Sequence, residues 1–231
     1  GFLTIGIQKG DHVAVWATNV PEWLHLQFGL AMIGAVLVTV NTSYKSRELE
    51  YILRQSASET LVYIAGFRDS SYNEIIGEII PDSEMAEPGK IRSLQLPQLR
   101  NIVYIGEKTQ KLPAAFGYSD IIRKGERVSD GTLYGRERRL NPHEIINMQY
   151  TSGTTGFPKG VMLSHYNIIN NARMIGDVTG MSFRDRLLIQ VPLFHCFGCV
   201  VSSLSCVCCG STMVVSESFS PRTSLHYIDQ E

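Results

Sequence analysis

The 231-residue chain carries almost no excess charge of either sign: 21 lysines and arginines stand against 22 acidic residues, a formal net charge of −1. That balance supplies neither the basic field that nucleic acid requires nor an acidic tail, so the expected partner is a small molecule. Between Leu187 and Ser216 there is no Asp, Glu, Lys or Arg at all. The run does not read as an integral membrane span, because Gln190, Pro192, His195 and several serines and glycines interrupt it; a covered strand, helix, strand unit accounts for it better. Cysteine is confined to residues 196–209, where five occur: Cys196, Cys199, Cys206, Cys208 and Cys209. They sit among Phe, Val, Leu and Gly in what reads as one apolar helix, so they are expected to be small buried thiols rather than zinc ligands presented from turns. Free thiols of this kind suit a reducing compartment, the cytoplasm or an organelle such as the mitochondrion.

Several motifs are missing too. No internal repeat or low-complexity tract occurs, and no Gly-x-Gly-x-x-Gly follows the first expected strand, which argues against a nicotinamide enzyme. None of the usual Ser/His/Asp or Cys/His spacings marks a side-chain nucleophile. The opening Gly1–Ile7 lacks the basic region and cleavage site of a secretory signal, and reads as the start of a chain cut at that end.

What is present, with 44% hydrophobic residues, is an alternation of short apolar runs and helical patterns. Strands are expected over 11–17, 35–40, 60–64, 101–105, 145–150, 161–163, 186–191 and 212–215. Helices are expected over 21–33, from a Ser46 cap, over 71–80, from a Ser119 cap to about 128, over 164–175, over 195–209 and from residue 220 onward. Residues 81–97 read as a surface excursion and 129–141 as a connection. The alternation predicts an α/β fold of mostly parallel sheets covered by helices, with subregions of about 1–141 and 142–231. His143 and Glu144 read as a solvated strand entrance rather than an acid/base pair.

Between two of those strands lies Tyr150-Thr-Ser-Gly-Thr-Thr-Gly-Phe-Pro-Lys-Gly-Val161. Gly153, Gly156 and Gly160 permit close backbone approach, so NH groups can converge on an anion without a Cβ in the way. Thr151, Ser152, Thr154 and Thr155 add hydroxyls, and Lys159 adds a point charge suited to phosphate oxygens. The stretch reads as a phosphate grip. It is not a Walker A loop: counting from Gly153, Pro158 stands where the second glycine belongs, and Lys159 is followed by Gly160, which has no hydroxyl for magnesium.

Residues 150–161 closely resemble the Gly/Ser/Thr-rich signature of the adenylate-forming (AMP-binding) superfamily. The resemblance extends to Gly10-Asp-His-Val-Ala-Val-Trp-Ala-Thr-Asn-Val-Pro-Glu-Trp23, Ala31-Met-Ile-Gly-Ala35, Val40-Asn-Thr42 and Pro192-Leu-Phe-His-Cys-Phe-Gly198. It covers essentially the whole chain, and is nearest to AMP-forming acyl-CoA synthetases acting on fatty or medium-chain acids. The resemblance implies an incomplete N-terminal domain of the ANL type, with the adenine contacts, an acidic magnesium ligand and a small C-terminal domain lying beyond Glu231, so the chain alone is expected not to complete adenylation.

It also implies roles. ATP phosphates would be held by Thr151, Ser152, Gly153, Thr154, Thr155, Gly156 and Lys159, with Mg2+ partly on Thr151 and CoA as cosubstrate. His195 would sit beside the acyl carboxylate; from the residues alone it is equally a satisfied core histidine. Phe197, Gly198 and Val201 would wall the acyl pocket. Two other readings stay open: an adenylation domain or acyl-AMP ligase with a different acceptor, and a non-catalytic nucleotide-binding module.

Overall fold

The computed structural model describes residues 1–151 and 157–230. The first unit is strand β1 (His12–Trp16), helix α1 (Pro21–Ile33) and strand β2 (Val36–Thr39), with β2 parallel to β1. Pro21 starts α1 where a missing N–H costs nothing, after an extended Val20. Gly34 ends it at φ 76°, a left-handed conformation that lets its own N–H reach the Ala31 carbonyl and the Ala35 N–H reach that of Leu30.

Helix α2 (Ser46–Gln55) follows, then β3 (Thr60–Tyr63), a small antiparallel hairpin of β4 (Gly66–Phe67) and β5 (Ser70–Ser71), and α3 (Tyr72–Ile79). Strands β6 (Asn101–Tyr104) and β7 (Ala115–Gly117) lead into α4 (Tyr118–Gly125) and α5 (Asp130–Glu137). Next come β8 (Ile145–Thr151), β9 (Lys159–Ser164) and α6 (His165–Thr179). The last segments are β10 (Arg186–Ile189), a π-helix over Phe197–Leu204 continuing into α7 (Ser205–Cys209), β11 (Thr212–Val215) and α8 (Pro221–Gln230).

Seven strands form the main sheet in the order β7-β6-β3-β1-β2-β8-β9, every pair parallel except β8 with β9. Strands β2, β3 and β6 are buried along their whole length, as expected of a parallel sheet with both faces covered. β10 and β11 form a separate parallel pair.

The expected α/β alternation is therefore the observed one, with local corrections. Residues 130–137, expected to lie in a connection, are helix α5; it buries no residue, so no apolar stripe announces it. β7 is a three-residue strand that the pattern does not reveal. Ser46 is the first helical residue of α2 rather than its cap, and the preceding Lys45 N–H is held by the Glu48 carboxylate at 3.1 Å. α4 likewise starts at Tyr118 after Gly117, one residue before Ser119. The Ser164 cap is as expected: its hydroxyl accepts the Asn167 N–H, and the Asn167 side-chain oxygen accepts the Ser164 N–H.

One side chain joins the two sheets. The buried Asn19 amide, just past β1, donates to the Val191 and Ser216 carbonyls, both at 3.0 Å, and its oxygen accepts the Leu193 N–H at 2.8 Å. All three partners lie just beyond β10 or β11. Asn19→Ala leaves two carbonyls and an N–H without this partner, and is expected to lower unfolding stability by about 2 kcal/mol. Urea denaturation measures it; a loss of less than about 0.5 kcal/mol, the size of an inert surface change, would remove the joint from this account.

Candidate active site

The hairpin of β8 and β9 sets the spacing of the site. Thr151 pairs directly with Lys159, Tyr150 with Gly160 and Gln149 with Val161. Side chains alternate along a strand and directly paired residues share a face, so Thr151, Lys159, Gln149 and Asn147 project from one face. Thr151 and Lys159 are both exposed at the open end of the hairpin. Lys159 was expected on a loop; it is the first residue of β9. Ser152, Gly153, Thr154, Thr155 and Gly156 lie outside the described residues.

Helix α2 holds both feet of this loop. The Tyr51 hydroxyl donates to the Pro158 carbonyl at 3.1 Å, and the Tyr51 ring packs at 5.2 Å from that of Phe157. One turn further on, Gln55 accepts a hydrogen bond from the Tyr150 hydroxyl. Burial, reinforced by the nearby Tyr51 and Tyr44 phenols, pushes the Tyr150 phenol up to about 12, so it remains a neutral donor. Neither Tyr51 nor Gln55 could be picked out from the sequence, since each is an unremarkable helix residue until the loop is docked on it.

The face of β8 that carries Thr151 and Gln149, opposite to Tyr150, reaches the His195 segment. Gln149 donates to Cys199 Sγ at 3.2 Å and to the Asn147 oxygen at 2.9 Å. The Cys199 carbonyl accepts from Gln27 of α1 at 2.8 Å and from the Ser203 hydroxyl at 2.7 Å. Ser202 and Ser205 hydroxyls bond the carbonyls five residues earlier, Phe197 and Val200. Hydroxyls and the Gln27 amide thus take up carbonyls along a π-helical stretch, a rare form frequent at functional sites.

His195 sits just before this helix, exposed, with Nδ1 accepting the Phe197 N–H at 3.2 Å. Its Nδ1 is therefore unprotonated in the neutral ring, and the proton lies on Nε2, free to meet a carboxylate. Phe194 next to it lines a cleft of about 310 Å³ that also takes in Thr18, Thr42, Gln190 and Glu217. This cleft lies where the C-terminal ends of β1, β2, β10 and β11 meet, the usual place for a ligand in an open α/β sheet. Of the residues expected to wall a pocket, Phe197 is 52% exposed, Val201 is half-buried, and Gly198 is buried. A Cβ on Gly198 would stand 2.3 Å from the Pro192 carbonyl oxygen, so that glycine faces backbone and not open space.

The cysteines correct the expectation of uniform burial. Cys199 and Cys206 are buried, Cys196 and Cys208 are exposed and Cys209 is intermediate. Burial pushes the Cys199 thiol up to about 12 and the Cys206 thiol to about 11. His143 and Glu144 lie outside this cluster: Glu144 pairs with Lys9 at 2.5 Å, and His143 packs on Tyr166. Among the described residues, no helix is long and apolar enough to cross a membrane.

The sequence matches the AMP-binding enzyme family along residues 1–231, its whole length. The chain belongs to that family. It is 46% identical to the candidate acyl-CoA synthetase YngI of Bacillus subtilis (strain 168), covering 100% of this chain and 42% of YngI. It is 35% identical to the mitochondrial medium-chain acyl-CoA ligase ACSF2 of Mus musculus, covering 100% of this chain and 38% of that protein. Among solved structures, the long-chain-fatty-acid-CoA ligase FadD1 of Archaeoglobus fulgidus superposes with a TM-score of 0.76 at 27% identity, over 99% of this chain and 40% of FadD1. The anthranilate CoA ligase AuaEII, in complex with anthranoyl-AMP, shares the fold at a TM-score of 0.78 and 24% identity, over 98% of this chain and 39% of its own. This AMP-binding chain thus spans about 40% of the length of the curated relatives it matches.

Proposed function

We propose that the chain supplies the ATP-phosphate grip and the carboxylate-facing wall of an AMP-forming acyl-CoA ligase, acting on a fatty or medium-chain acid. The observation that carries this reading is the shared face of β8: Thr151 and Lys159 project from it at the loop, and Gln149 on it touches the helix that follows His195. A phosphate tail and an acid can then be held by one rigid wall.

A carboxylate and the α-phosphate of ATP repel each other, so the reaction needs positive charge and donors fixed in advance near the departing pyrophosphate. Lys159 supplies the charge, and backbone N–H groups of residues 152–156 are proposed to supply the rest. The Nε2–H of His195 orients the acid. Positioning does the catalytic work, and no side-chain nucleophile is involved. The lone Thr151 hydroxyl is a neutral, single ligand, so Mg2+ would be held chiefly by phosphate oxygens, where it neutralises charge. CoA is the proposed acceptor, in line with the names of YngI and ACSF2. A reducing compartment is proposed from the free thiols.

Pyrophosphate exchange by the full-length protein, screened against short, medium, aromatic and amino acids, tests the reading. Medium-chain acids are expected to give the largest exchange. ATP binding without exchange for any acid would instead support a nucleotide-binding module.

A further inference from the structure

The helix beside His195 begins with Cys196-Phe-Gly-Cys199, two cysteines three residues apart. Cys196 stands at its start with helical backbone angles of −55° and −28°, exposed; Cys199, one turn inward, is fully buried. That asymmetry suits thiol–disulfide exchange, in which an open sulfur meets the incoming disulfide and an enclosed one resolves it. Cys196 Sγ lies 3.7 Å from His195 Nδ1, the nitrogen that already accepts the Phe197 N–H and so is free of a proton in the neutral ring.

A second pair of the same spacing provides an internal comparison. Cys206 is buried and Cys209 is half-buried, its sulfur 2.4 Å from the position a Cβ on Gly176 would take. Neither member is exposed.

We propose that Cys196 and Cys199 form a redox-active dithiol that exchanges with low-molecular-weight disulfides and, once oxidised, reshapes the turn beside His195. The Phe197 N–H swings off His195 Nδ1, whose freed lone pair takes the Cys196 proton, and the thiolate attacks one sulfur of the external disulfide. That S–S bond breaks; the departing thiolate takes up the proton, leaving a mixed disulfide on Cys196. Cys199 then attacks the Cys196 sulfur and its own proton goes to the second leaving thiolate. The two cysteines lose two electrons, and the external disulfide is reduced to two thiols.

The coupling to the site is geometric. Helical residues three apart hold their Cβ atoms about 5–6 Å apart, whereas a disulfide brings them to about 3.8 Å. Closing the bridge tightens the turn that contains the Phe197 N–H to His195 bond, and draws Cys199 Sγ off Gln149.

The test is to equilibrate the chain in glutathione mixtures of increasing oxidised fraction, alkylate the remaining thiols and map them by peptide mass spectrometry. A Cys196–Cys199 bridge is expected while Cys206, Cys208 and Cys209 are still alkylated. Cys199→Ser is expected to trap a glutathione adduct on Cys196, and Cys196→Ser to prevent the bridge. An adduct that persists on Cys196 in the unmutated chain, earlier oxidation of the Cys206 and Cys209 pair, or five alkylated thiols in the most oxidising mixture would each overturn the proposal. None of these readouts depends on carboxylate activation, so they stand apart from the exchange assay.

Discussion

Replacing Lys159 with alanine in the full-length protein is expected to lower acid-dependent pyrophosphate exchange by roughly 10²- to 10³-fold, the loss typical of deleting one preorganised charge-stabilising group. The side chain is exposed at the start of β9 and has no ion pair among the described residues, so its removal has little to disturb in the fold. Its effect should therefore appear in turnover and not in stability. Thermal unfolding of the variant is expected to match the parent, and that match is what makes the activity loss interpretable. Lys159→Arg keeps the charge but replaces a compact ammonium with a planar fork, and is expected to recover only part of the rate. Unchanged exchange in Lys159→Ala would remove the phosphate grip from the proposed mechanism.

Gly198→Ala should do the reverse and act through the fold. The added Cβ would stand 2.3 Å from the Pro192 oxygen, 2.7 Å from the Pro192 carbonyl carbon and 2.9 Å from Leu193 Cα. All three are backbone atoms, which cannot swing aside as a side-chain tip does. The segment is pinned from the other side as well, because Asn19 holds the Leu193 N–H and the Gly198 N–H reaches the His195 carbonyl at 2.9 Å. The expected cost is about 3 kcal/mol, the upper end for overpacking, or a fall in Tm of roughly 6–12 °C for a chain of this size. Gly29→Ala is the matched control. It sits inside α1 with nothing within 4 Å of the new Cβ, and should stabilise by about 0.5–1 kcal/mol. Equal Tm values for the two variants would show that the His195 segment is not packed as described.

The α/β alternation was legible because its strands are apolar runs and its helices have clear edges: α1 spans Pro21–Ile33 and β11 spans Thr212–Val215, as the pattern predicts. The pattern fails where packing leaves no trace in composition. α5 buries nothing and contains Gly131 and Gly135, both of which lower helix propensity. The π-helical stretch was read as ordinary helix, since a change in hydrogen-bond register does not alter which residues are apolar. Only the folded backbone reveals it, as the π-helix over Phe197–Leu204. Site chemistry followed the same division. Lys159, Thr151 and His195 stood out by residue type and neighbours, whereas Gln149, Gln27, Tyr51 and Gln55 matter only through contacts made across 50 to 172 positions for Gln149 and Gln27, and 95 to 107 for the two residues of α2.

The pairing of Thr151 with Lys159 means that the backbones carrying the two jaws of the proposed phosphate site stand one interstrand spacing apart, about 4.7–4.9 Å. A slip of β9 by one residue along β8 would carry Lys159 to the other side of the ladder, away from Thr151 and Gln149 together.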